Sequence, residues 1–235
     1  MDTALFRQRL DTYVRPITSP VAIKMASSGD EIPERARMPK RDFDVTMPVC
    51  QGLALARRHG LVVAMGLDDM LCPLGAVAMG FLPAKPKFTD GTYGIPFWVS
   101  GQEVTANLLK GMARFETGRY THVVAAPIER ADFQADVVLI YGNPAQMARL
   151  VQAAVYVTGE PVVSRSTGGL ACAEQTVRTM QTGEFQFVLA GGGERALALT
   201  QDDEASFAVP RDRVDALSEA LQVTHTQGVR YPTRS

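Results

Sequence analysis

Short apolar runs, most of them bounded by proline, glycine or a charged residue, recur along the chain, and their length is what most limits the fold. Pro20-Val-Ala-Ile-Lys-Met25 is the first; others lie at 61–66, 122–126, 136–141, 161–165, 185–190, 196–200 and 205–209. Runs of five or six residues rich in Val and Ala fit buried strands and are too short for ordinary helices. The longest uncharged stretch, 70–84, has 15 residues and includes Pro73 and Pro83. That is short of the roughly 20 residues that cross a bilayer.

Helices are predicted between these runs, at 1–13, 50–58, 73–80, 100–115, 144–156, 172–181 and 210–221. His59-Gly60 closes the second. Asn143-Pro144, a cap followed by proline at the first helical position, opens 144–156. Ser100-Gly-Gln-Glu103 has the form of a capping box, in which hydroxyl and carboxylate satisfy free helical amides. Pro33, Pro39 and Pro48 leave 27–48 as a long loop, and 85–98 reads as a connecting or flap segment. The predicted class is α/β of the mixed α+β kind, with mixed sheets flanked by helices.

Strand, helix, strand, helix occurs at 20–25, 50–58, 61–66 and 73–80, and again at 136–141, 144–156, 161–165 and 171–181. An offset of 100 lays Val62-Val63 on Val162-Val163, Val77 on Val177 and Cys72 on Cys172. The expectation is two divergent β-α-β-α units, 1–120 with the flap and 121–222, forming one compact domain with a loose tail at 223–235. Cys72 and Cys172 would then be counterparts. Chance likeness between two α/β units is the competing explanation.

With 24 basic and 25 acidic side chains, the chain has no charge excess with which to hold a phosphate backbone or an anionic membrane. A small-molecule ligand or substrate is the expected partner, with a homo-oligomer left open. An odd count of three widely spaced cysteines argues against a disulfide framework and for a reducing compartment, and the amphipathic 1–13 does not read as a signal peptide. The expected location is the cytoplasm.

Each cysteine falls where a helix is predicted to begin: Cys50 after Met47-Pro-Val, Cys72 before Pro73, and Cys172 after Leu170-Ala. Free amides at a helix start favour the thiolate, which attacks electrophiles and binds soft metals. Soft sulfur donors select zinc, cuprous ion or iron–sulfur clusters. No local CxxC pair and no fourth cysteine is present, so three converging thiolates would hold a metal with one position open to a small substrate. The leading expectation is an iron–sulfur cluster, of the 4Fe-4S type, on Cys50, Cys72 and Cys172, with zinc as the alternative. Two other readings remain. The cysteines are core residues of a metal-free small-molecule binding or regulatory protein, or one of them is a nucleophile.

His59, at a helix end beside Arg57 and Arg58, His122 on an apolar strand and His225 near the C-terminus are poor fourth ligands. Gly168 and Gly169, before Cys172, let backbone approach a bound group. Gly191-Gly-Gly-Glu-Arg195 offers bare amides and Arg195 to an anion, or else makes a hairpin between two strands. Lys24, on an otherwise apolar strand, and the Arg37, Lys40 and Arg41 group are anion contacts or a solvated edge. Asp68 and Asp69 read as caps.

Pro20-Val-Ala-Ile-Lys24, Cys50-Gln51, Cys72-Pro-Leu-Gly-Ala76, Asp136-Val-Val-Leu-Ile-Tyr-Gly-Asn-Pro144 and Gly169-Leu-Ala-Cys172, taken in this order, resemble one family from about Pro20 to Leu221. It is the domain of unknown function 169, or ArCR, of archaea and bacteria. The resemblance implies that the three cysteines belong to the family pattern, and it names no activity. Gly191–Arg195 departs from it, since relatives have a shorter glycine–acidic–arginine turn there, which weakens an anion site at that place.

Overall fold

The computed structural model describes residues 2–93 and 100–227. The first half comprises α1 (Thr3–Tyr13), β1 (Val21–Ala26), α2 (Pro39–Phe43), α3 (Val49–His59), β2 (Val63–Met65) and α4 (Pro73–Ala78). It continues with α5 (Pro86–Thr89), α6 (Gln102–Lys110) and β3 (His122–Pro127). The second half comprises β4 (Val137–Gly142), α7 (Pro144–Thr158), a π-helical turn Ala173–Arg178 running into α8 (Thr179–Thr182), β5 (Gln186–Leu189), α9 (Gly192–Leu197), β6 (Ala205–Pro210) and α10 (Val214–Gln227).

Among the described residues the strands form one six-stranded sheet, in the order β2-β3-β1-β4-β6-β5, and its strand pairings are antiparallel. The chain is thus α+β, as expected, with one antiparallel sheet in place of the predicted mixed sheets. The two units meet in a single sheet because β1 pairs with β4, Val21 opposite Leu139 and Ile23 opposite Val137.

Antiparallel strands usually alternate apolar and polar residues because one face meets water. Here both faces are covered, which is why the strands read as unbroken apolar runs. Val21, Ile23, Met25, Leu139 and Tyr141 point to one face, with Val49 and Leu53 of α3, Ala173 and Val177. Ala22, Val138 and Ile140 point to the other, with Phe6 and Leu10 of α1, Met147 and Leu150 of α7 and Leu217 of α10. Burying a side chain of the size of Phe6 or Leu150 contributes about 1.5–3 kcal/mol. Asn143 opens α7 as its cap predicts: Oδ1 accepts from the Gln146 amide at 3.0 Å while Gln146 Oε1 accepts from the Asn143 amide at 2.9 Å.

The sheet order reads the same inward from either edge. In each half the first strand is innermost, the second outermost, and the third lies between them. A helix separates the first and second strands on the same face of the sheet, α3 in one half and the 171–182 helix in the other. Gly60 closes the former and Gly183 the latter, both in the left-handed conformation. A short helix, α4 or α9, follows the second strand, with α5 and α6 added after it in the first half, and the third strand ends at Pro127 or Pro210 and enters a 3-10 turn.

This correspondence corrects the offset of 100. The counterpart of Cys172 is Cys50, not Cys72, and the N-cap Cys72 of α4 is matched by Gly191, the N-cap of α9. The helix that the offset set against α3, α7, packs on the opposite face. Cys172 lies one residue further from Gly183 than Cys50 does from Gly60. The π turn at Ala173–Arg178 takes up that residue, since a π-helix winds more residues per turn.

Three further expectations change. The segment 161–165 is not a strand: Val163 is 74% exposed, and the segment runs beside β5 through the hydroxyls of Ser164, bonded to the Phe187 carbonyl, and Ser166, which accepts from the Leu189 amide at 3.4 Å. The predicted strand 196–200 is displaced by α9. There the Glu194 carboxylate accepts from the Gly191 amide at 3.2 Å and starts a helix where a hairpin was the alternative. Helix α6 begins at Gln102 with Gly101 as a cap that makes no side-chain bond, so the Ser100–Glu103 box does not form. Of the flap, 86–89 is helical and 94–99 lie outside the described residues; of the loose tail, 223–227 belong to α10 and 228–235 lie outside them.

Candidate functional site: a cavity walled by three thiols

Cys50 is the second residue of α3, Cys72 caps α4, and Cys172 stands in the first turn of the 171–182 helix. All three line one cavity of about 100 Å³, together with Pro48, Gly75, Gly169, Ala171, Gly191, Gly193 and Glu194. Local sequence explains the approach. Pro48 cannot extend a helix backward, so α3 starts beside Cys50. Pro73 fixes the first turn of α4, and the Cys72 Sγ accepts from the Gly75 amide at 3.4 Å.

Gly191 allows the fourth wall to close. A Cβ there would stand 2.7 Å from the Gly168 carbonyl oxygen and 2.9 Å from Gly169 Cα, so only glycine lets α9 reach the Gly168-Gly169 turn. The Gly192 amide donates to that same carbonyl at 3.2 Å.

Helix starts favour thiolates, and at Cys50 and Cys172 burial reverses that preference. Desolvation, then the negative charges of Glu194 and Cys72, push the Cys50 thiol up to about 12. Cys172 is raised well above its ordinary value by burial and by the charges of Cys72, Cys50 and Glu194. The Glu194 carboxyl is itself raised, burial outweighing its hydrogen bonds from Gly191 and Tyr141. Sulfurs and carboxyl thus repel one another's charge across one small space.

A polar chain stands behind Glu194. The Tyr141 hydroxyl donates to Glu194 Oε1 at 3.4 Å, and burial raises the Tyr141 pKa. Gln175, fully buried in the π turn, lies beside both; its Oε1 accepts from the Ser206 hydroxyl at 2.9 Å and its Nε2 makes no hydrogen bond of ordinary length. The Arg57 guanidinium covers the Tyr141 ring and donates to Glu204 at 2.9 and 3.0 Å.

Of the other residues singled out in the sequence, Gly169 lines the cavity and Gly168 buttresses its α9 wall. Lys24 does not reach it. Ile23 and Met25 face the cysteine side of the sheet, so alternation turns Lys24 to the other, where Nζ pairs with Glu31 at 2.9 Å. Arg195 also points away, donating to the Gln201 carbonyl at 2.5 Å and pairing with Asp202 at 3.4 Å. The residue missed was its neighbour Glu194. Its signal was present, an acidic residue three positions after a predicted turn, as in a capping box.

His122, on the first residue of β3, accepts or donates at Thr121 Oγ1, and His225 packs on the Tyr13 ring 4.9 Å away; neither lines the cavity. Asp69 is a cap, accepting from the amides of Lys40 and Gly66 at 2.8 Å each. Lys40 and Arg41 pair locally with Asp44 and Asp42. Among the described residues, no three His, Cys, Asp or Glu side chains stand close enough to hold one metal ion.

Fold and site together define an α+β protein, built of two like halves, whose matching helices carry thiols to a shared cavity. The chain belongs to the family DUF169, uncharacterised ArCR, which it matches over residues 9–220. It is similar to the uncharacterised protein MJ0308 of Methanocaldococcus jannaschii, 27% identical over 205 residues covering 86% of each chain. No solved structure gives a match. Among the described residues no helix is long and apolar enough to cross a membrane.

Proposed function

We propose that the protein is a metal-cofactor protein in which Cys50, Cys72 and Cys172 hold an iron–sulfur cluster, of the 4Fe-4S type, that presents one iron to a small substrate. The observation that carries this reading is the meeting of three thiols, from helix starts far apart in the chain, at one cavity. The donor set fits a cation. Burial and one another's charge hold Cys50, Cys172 and Glu194 in their protonated forms, and a positive centre would offset that opposition to ionisation as the ligands lose their protons.

Zinc on the same three sulfurs is the alternative, and with Zn–S near 2.3 Å it would draw them to about 3.8 Å of one another. A multi-iron core spreads its thiolates around itself. The supporting residues follow from the site: Gly169 and Gly191 admit the cofactor to the backbone, and the turn 168–169 leaves one side of the cavity free of side chains.

The test is anaerobic purification or reconstitution with iron and sulfide, followed by metal analysis. Bound iron and sulfide that fall together in Cys50→Ser, Cys72→Ser and Cys172→Ser support the reading. Metal-free protein after reconstitution, with the serine variants unaltered, overturns it.

A metal-free binding or regulatory protein is the second reading, and the largely apolar wall of the cavity together with thiols held neutral by burial favours it. Thermal-shift screening with carboxylates and thioesters separates the two: stabilisation that persists in the presence of a chelator and in the serine variants belongs to the metal-free case. A nucleophilic cysteine fits the site least, because burial opposes the thiolate at the two shifted positions.

A further inference from the structure

The two halves place their groups around the cavity in matching pairs. Cys50 of α3 is paired with Cys172 of the 171–182 helix. Cys72 caps α4, and at the matching place in the other half, the start of α9, the cap is a glycine and the side chain that enters the cavity is Glu194. Three of the four corners carry sulfur and the fourth carries a carboxyl.

From this pairing we propose that Glu194 is the fourth ligand of the metal centre, an oxygen donor at the corner that Cys50, Cys72 and Cys172 leave open. The inference rests on the metal-cofactor reading above and adds the residue that closes the centre when no substrate is bound. Coordination replaces the proton of the carboxyl by iron, the proton leaving to solvent as those of the thiols do.

Independent features of the site suit that role. Glu194 is 6% exposed, and a carboxyl is rarely buried so far without a charged partner or a metal. Among its hydrogen-bond partners are the Tyr141 hydroxyl and the Gly191 amide, and both can stay with a carboxylate bound to iron. Gln175 Nε2, buried beside it, is a further donor for that oxygen. The Arg57 guanidinium lies 4.1 Å from the Tyr141 ring centroid, and its positive charge favours the ionised Glu194 carboxylate without a hydrogen bond to it. An oxygen ligand binds iron of a cluster less firmly than thiolate does, so it can yield its corner to a substrate oxygen.

The experiment compares reconstituted wild type, Glu194→Gln and Glu194→Cys, each checked for folding by circular dichroism, by iron content and electron paramagnetic resonance before and after brief exposure to air. In the wild type about one iron in four should leave, giving the spectrum of a three-iron cluster. Glu194→Cys, with a thiolate at each corner, should keep its fourth iron. Glu194→Gln should lose its fourth iron about tenfold faster than wild type. Equal iron loss and identical spectra in the three proteins overturn the role of Glu194 while leaving the cluster in place. Wild type that takes up no iron at all overturns the cofactor reading and this inference with it.

Discussion

The Arg57 guanidinium stands 4.1 Å from the ring centroid of Tyr141, and through that contact the buried ion pair behind α3 supports the wall of the thiol cavity. Arg57 and Cys50 share one helix, while Tyr141 on β4 reaches Glu194. Arg57, which is 4% exposed, therefore ties a helix of the first half to residues of the second at the site.

Removing Arg57 leaves Glu204 buried with Arg58 as its remaining arginine partner. Arg57→Met should lower stability by about 3 kcal/mol, read as a shift of the urea midpoint, and Arg57→Met with Glu204→Met should recover much of it. Burial tends to raise the Glu204 pKa, but the Arg57 hydrogen bond, the Gln201 amide and the charges of Arg57 and Arg58 outweigh it and hold it lowered. The pair's contribution is present above pH 4.5 and is lost as the pH falls through the lowered folded value. A change below about 0.5 kcal/mol in Arg57→Met would contradict this account of the pair.

In the metal-free protein the buried thiols should be slow to alkylate. With Cys50 pushed from 9.0 up to about 12, its thiolate share at pH 8 falls on the order of a thousandfold. Iodoacetamide should label Cys50 and Cys172 fully only after unfolding. Because the folded chain keeps protons that the unfolded chain releases, stability should decline as pH rises from 9.0 towards about 12. One fast-reacting cysteine among these two at neutral pH would restore the nucleophile reading.

Gly191→Ala tests the closure of the fourth wall. Its Cβ meets backbone atoms of Gly168 and Gly169 at under 3.0 Å, so α9 or the 168–169 turn must move. The expected cost is about 1–3 kcal/mol in thermal or urea unfolding, with cofactor retention falling more than stability alone explains. Gly193→Ala, whose Cβ meets nothing within 4 Å, is the control and should change stability little.

Much of this architecture could be read from particular residues. Asn143-Pro144 opens α7, Gly60 closes α3, and the three cysteines fall at helix starts near Pro48, Pro73 and Ala171. The faces of the strands could not be read, since covering both faces removes the alternation that reveals them. Val162 and Val163 imitated a strand because β-branched residues favour extended backbone wherever they lie. The pairing of the halves was hidden by one inserted residue in the π turn, which no periodicity signals, and by α7, which filled the place in the order that α3 holds in the first half. Glu194 escaped notice because three glycines before it suggested a turn, while its carboxylate was what made them a helix start.

The central claim, that Cys50, Cys72 and Cys172 share one cofactor, is tested most directly by iron and acid-labile sulfide analysis of anaerobically reconstituted protein beside its three cysteine-to-serine variants. About four irons and four sulfides per chain in the wild type, lost or sharply reduced in each variant that remains folded, is the predicted result. Wild type and variants equally free of iron and sulfide, or equally loaded, would contradict it.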